Sequence, residues 1–168
     1  HALPITPAPF ELYFNDAPMI LARYPNEGYL KIGTVIDKGS IPRIGDKSGK
    51  GAIFHYQDNR HSKWAGQKDV WLHGTFNYGF ADDYISIESI NPEKKEIKLS
   101  KPHLYGVASG KDFQQYIAIN ILDELDTAGE WYLDRTTGIL YFWPPGDLQK
   151  VNITVSMLES PIISLEGV

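Results

Sequence analysis

Turn residues interrupt this chain roughly every 8–12 positions, and the runs between them are short, apolar and rich in aromatics. That pattern leaves little room for anything but a sheet protein. The sharpest case is Gly129 to Pro145, two aromatic runs around the polar turn Arg135-Thr136-Thr137-Gly138. Trp131 and Leu133 fall on one face, with Tyr132 and Asp134 on the other. Beyond the turn, Ile139, Tyr141 and Trp143 share a face, and Leu140 and Phe142 lie opposite. Apolar groups on both faces predict a hairpin covered on both sides, the expected centre of the core.

The remaining runs follow the same logic. Strands are expected over Phe10–Phe14, Met19–Ala22, Tyr29–Val35, Ala52–Tyr56 and Val151–Ser156. Tyr84–Ile90 and Glu96–Leu99 form the cleanest hairpin, turning at Asn91-Pro92-Glu93-Lys94-Lys95. Asp69–Phe80 reads as a buried strand in which Gly74 or Gly79 marks a bend or a close backbone approach. Phe113–Leu125 repeats apolar residues at both helical and strand spacing. Its β-branched Ile117, Ile119 and Ile121 favour a strand near Tyr116–Ile119, followed by a helical turn over Asn120–Leu125. A second helical turn is expected over Asp58–Trp64, capped by Asp58 or Asn59. Asp37–Gly51, with four glycines and four basic residues, reads as a surface loop. The predicted class is all-β: a sandwich or partly open barrel of short antiparallel strands with at most one or two short helical turns.

Composition removes several functions. With 168 residues the chain is one domain, or one domain and a fragment of the next. It has no cysteine, hence no disulfide, thiolate metal site or cysteine nucleophile. A net charge of -5 gives no basic footprint for nucleic acid, and no apolar run reaches membrane-span length. His55, His61 and His73 lack metal-ligand spacing, and there is no phosphate loop or nucleophile elbow. Neither a metal nor a cofactor is expected.

Carboxylates and aromatics remain as chemistry. Asp123, Glu124 and Asp126 read as a charged turn closing against the Glu130–Asp134 strand. Glu130 and Asp134 would stand about 13 Å apart at strand rise, too far for the paired carboxyls of a glycosidase. No catalytic residue is therefore assigned. Trp71, Trp131 and Trp143 sit in apolar alternation and are expected in the core. Trp64 lies among polar residues beside Arg60 and His61, and is expected as a surface contact for a sugar or another domain. Arg23 and Asn26 either satisfy backbone groups of the Arg-Tyr-Pro-Asn turn or join that contact.

Three segments carry a resemblance: Glu11 to Gly28, Asp69 to Gly74, and Glu124 to Asp134 running on to Tyr141-Phe142-Trp143-Pro144-Pro145. Together they resemble the β-rich domain near the N-terminus of large right-handed parallel β-helix proteins. Many of these are secreted bacterial carbohydrate-active enzymes, glycoside hydrolases or pectate-lyase-like proteins. The resemblance implies an accessory domain over residues 1–150 and the start of a truncated β-helix over 151–168. It also implies secreted, periplasmic or cell-surface location. The expected partners are the β-helix and a poly- or oligosaccharide, with the catalytic carboxylates beyond Val168. On this reading the domain packs on the β-helix and shapes its substrate groove. An autonomous carbohydrate-binding module and a purely structural interaction domain are the alternatives.

Overall fold

The computed structural model describes Pro7, residues 10–156, Ile163 and Leu165. Of the expected β-helix start over 151–168, residues 157–162, 164 and 166–168 lie outside the described residues. Fourteen short strands and three 3-10 segments account for the regular structure among them. The chain is all-β, with its sheets arranged as a sandwich and no closed barrel, as the turn spacing predicts.

An eight-stranded antiparallel sheet dominates. In chain order its strands are β4 (Arg23–Tyr24), β5 (Leu30–Lys31), β6 (Val35–Asp37), β7 (Ile53–His55), β8 (Trp71–Thr75), β9 (Asp82–Asn91), β10 (Glu96–Leu99) and β11 (Gln115–Ile119). The spatial order is β4-β11-β8-β9-β10-β7-β6, and β5 also pairs with β11. The β9–β10 hairpin forms where expected, pairing Ile97 with Ile90 and Glu96 with Asn91. Strand alternation sends Phe54, Leu72, Ile85, Ile97, Leu99, Tyr116 and Ala118 into one large cluster.

Two smaller sheets flank this body. β1 (Leu12–Phe14) lies between β14 (Ile153–Val155) and β2 (Ala17–Pro18). The pairing of Ile153–Val155 with β1 ties that part of the tail back to the start of the chain. The third sheet has the order β13-β12-β3, comprising β13 (Ile139–Phe142), β12 (Glu130–Asp134) and β3 (Ile20–Leu21). Here β3 runs parallel to β12, so the expected Met19–Ala22 strand keeps Ile20–Leu21 beside β12, while the return pairing with β1 falls on Ala17–Pro18.

The structure moves the centre of the core. The hairpin Gly129–Pro145 forms with the predicted pairing, but it is peripheral, and β13 is an exposed sheet edge. The apolar cluster at β12 covers one face, where Trp131 and Leu133 meet Leu12, Phe10 and Met19. The strand buried on both sides is β11. Its Tyr116 and Ala118 enter the large cluster, while Ile117 and Ile119 join Trp71 and Leu21 on the opposite face. Gly74 explains how β11 and β8 approach: a Cβ there would lie 2.1 Å from the Gln115 carbonyl oxygen and 2.6 Å from Tyr116 Cα.

Candidate functional site

The polar stretch Asp58–Lys68 folds into the 3-10 segment Asn59–Trp64, capped as expected by Asp58, whose side chain accepts from the Arg60 amide at 2.8 Å. Its His61 and Trp64 side chains turn inward. Trp64 is 1% exposed and donates its indole N–H to Glu124 at 2.7 Å, so its ring is closed to ligands and the expected surface contact is overturned. Glu124 is fully buried in the 3-10 segment Leu122–Glu124, within the helical turn expected over Asn120–Leu125. Arg60 clamps it, with Nε 2.9 Å and Nη2 2.7 Å from its two oxygens, and reaches Asp126 at 3.3 Å. The guanidinium also lies over the Tyr24 ring, 5.1 Å from its centroid. The paired carboxylate holds the Arg60 pKa above its already high ordinary value.

His61 is buried with Trp64, stacked on Tyr56 at 4.6 Å. Its Nδ1 lies 2.7 Å from the Asp58 carbonyl oxygen, which can only accept, so Nδ1 carries the proton. Nε2 then accepts from the Tyr116 hydroxyl at 2.7 Å. Burial pushes the His61 pKa down. Arg23 bonds the Pro25 and Asn26 carbonyls at 3.1 and 2.9 Å, as the turn reading required. Asn26 is exposed and donates to Asp126 and Thr127 at 2.9 and 2.8 Å. Arg60, His61, Trp64, Arg23 and Asn26 are thus brought near one corner, where most of their polar atoms bind the protein itself.

A second carboxylate is also engaged. Glu130 is buried, and its Oε2 accepts from the Asp126 and Thr127 amides at 3.1 and 3.0 Å. Burial raises its pKa, and those two hydrogen bonds oppose the rise. His55 faces Glu96 and His73 faces Asp82, in places unrelated to His61. Among the described residues no group of three or more His, Asp or Glu could hold a metal ion.

The main concavity lies elsewhere. A cleft of about 840 Å³ opens between the outer face of the large sheet and the two smaller sheets. Trp71, Ile117 and Ile119 line it from the large sheet. Phe10, Leu21 and Trp131 line it from the flanking side, with Phe10 stacked on Trp131 at 5.2 Å. Polar groups complete the lining: His73 stacked on Tyr84 at 3.9 Å, Ser86 hydrogen-bonded to Ser100 at 2.6 Å, and Lys101 paired with Asp83 at 3.4 Å. Burial, followed by the Asp82 charge, raises the Tyr84 pKa. A ligand with an apolar face and hydroxyl edges suits this lining. Sequence reasoning missed the cleft because it is a seam between strands far apart in the chain.

Partly exposed aromatics form two further groups. Tyr132 and Tyr141 pair across β12 and β13 with ring centroids 6.1 Å apart, and Ile139 shares that outward face. Next to them Trp143, expected in the core, is 49% exposed. At the tip of the β8–β9 hairpin, Tyr78, Phe80 and Tyr105 cluster on the surface.

No family model matches the chain, and no curated protein sequence matches it. Among solved structures, one described as "Glycoside hydrolase" shares its architecture, with a TM-score of 0.58 at 16% identity. The similarity covers 86% of this chain and 26% of that enzyme. It extends to the fold. No helix among the described residues is long and apolar enough to cross a membrane.

Proposed function

We propose that this chain is a non-catalytic accessory β-domain of a glycan-degrading enzyme acting outside the cytoplasm. The observation that carries the reading is the architecture it shares with about a quarter of a much larger glycoside hydrolase. The carboxylates give it chemical support. Glu124 is bound by Arg60 and Trp64, and Glu130 by two backbone amides, so neither is offered to a substrate. In the finer form of the proposal, the domain seats on a right-handed β-helix through the outward face of β12 and β13. That face presents Tyr132, Ile139 and Tyr141, with Trp143 beside it. The cleft above Trp71 then contributes one wall of the substrate groove.

An autonomous carbohydrate-binding module is the second reading, favoured by the exposed rings at the β8–β9 tip. The test common to both is incubation of the chain with xylan, galactomannan, β-glucan and polygalacturonate, reading reducing ends and unsaturated products. Neither product is expected. Release of sugar that is lost in a folded Glu130→Gln variant would overturn the non-catalytic assignment.

A further inference from the structure

We infer that Tyr78, Phe80 and Tyr105 form a stacking platform for the apolar face of an uncharged sugar. The inference rests on the carbohydrate reading above and adds where on the domain the sugar is held. Phe80 is 76% exposed and Tyr78 47%, and with Tyr105 they form one contiguous aromatic patch. The Tyr78 and Phe80 planes lie within 10° of parallel with centroids 5.6 Å apart. Tyr105 stands nearly perpendicular to both, at 5.2 and 5.8 Å.

The loops bearing these rings are fixed from beneath by buried polar side chains. His103 sets its ring nitrogens 2.9 Å from the Gly106 carbonyl oxygen and 3.2 Å from that of Ala81, joining the two loops. Asn77 donates to the Tyr105 carbonyl at 2.7 Å, and buried Gln114 donates to the Asn77 carbonyl at 3.0 Å. Phe113 closes against Gly79, where a Cβ would fall 3.3 Å from its ring. Rings held this way lose little freedom when a ligand stacks on them. Neither tyrosine hydroxyl has a hydrogen-bond partner among the described residues, so both can serve sugar hydroxyls.

The chemistry selects among occupants. A nucleic acid strand also stacks on aromatics, but it needs a basic groove for its phosphates. Here Asp82 and Asp83 follow Phe80, Lys101 and Lys111 flank Tyr105 with Lys101 already paired to Asp83, and the net charge is -5, so no basic groove is formed. A protein partner needs about 800 Å² from each side. Three partly exposed rings supply on the order of 300 Å². A sugar ring asks only for a flat apolar face rimmed by hydroxyls.

The test is native electrophoresis of the chain in gels containing arabinoxylan, galactomannan, β-glucan or polygalacturonate, with Phe80→Ala and Tyr78→Ala run alongside. Both variants should keep the parent melting temperature. At least one neutral polysaccharide should retard the parent chain, polygalacturonate should not, and either substitution should weaken retardation roughly tenfold. Equal retardation of parent and variants would overturn the platform and leave the carbohydrate reading standing. No retardation by any neutral polysaccharide would also overturn it, whereas the accessory reading falls only to the product-release assay. A dimer of the parent chain that dissociates in Phe80→Ala would mark the patch as a contact between copies, and would likewise contradict the platform.

Discussion

Arg60 and Glu124, 64 positions apart, meet in a two-point contact whose acid is fully buried and whose base is 32% exposed. The pair joins the Asn59–Trp64 segment to the turn that leads into β12. Trp64 donates to the same carboxylate, so three side chains share one buried charge.

Removing the cation alone strands that charge. Arg60→Ala is expected to cost about 3–5 kcal/mol in urea unfolding. Arg60→Ala combined with Glu124→Gln should recover part of the loss, because the amide oxygen still accepts from Trp64 and no buried charge remains. Equal losses in the single and double variants would mean the charge is not what makes the site costly.

His61 sets a pH limit. Its folded pKa lies below the unfolded value of about 6.5, so the stabilisation is present above that value and is lost as pH falls through the folded pKa. Asp58 adds a second loss at lower pH. Its own pKa is depressed, chiefly by the Tyr24 hydroxyl and then by the Arg60 amide. The melting temperature should decline progressively below about pH 6.5. The His61 ring signals in NMR should begin to titrate only below the ordinary histidine range, and titration at an ordinary value would contradict the buried neutral assignment.

The tryptophans separate by position in the sheets. Trp131→Ala should cost about 3–5 kcal/mol, since the ring is buried against Phe10 and Leu12. Trp143→Ala should stay within about 0.5 kcal/mol in the isolated chain. Its half-exposed indole should also be readily quenched by acrylamide. The reverse ranking in denaturant unfolding would restore the hairpin as the centre of the core.

Gly74 tests the β8–β11 approach. Gly74→Ala drives a methyl into the Gln115 carbonyl and should either abolish folding or cost several kcal/mol. Gly66→Ala meets nothing within 4 Å and should be close to neutral. Comparable stability of the two variants would refute the close approach.

Local chemistry was legible in the sequence; the order of the strands was not. The β9–β10 hairpin, the Asp58 cap and the strand-then-turn at Tyr116–Leu125 each depend on neighbours within a few residues. Ile117 with Ile119 and Ile139 with Tyr141 are both apolar alternations that look alike in sequence. Only the sheet order makes β11 interior and β13 an edge. Trp64 was misread for a related reason. Its sequence neighbours are polar, and what draws it inward is Glu124, 60 positions away. The same logic hid the cleft, whose two sides come from different sheets, and the aromatic tip, whose rings come from two loops.

The most direct measurement of the central claim is a ¹⁵N NMR titration of the chain with oligosaccharides prepared from xylan, mannan and β-glucan. The account predicts shifts concentrated in residues 76–81 and 103–106, with the amides of Arg60, His61 and Trp64 unchanged. Shifts centred on Arg60–Trp64, or no shift with any of these sugars, would contradict it.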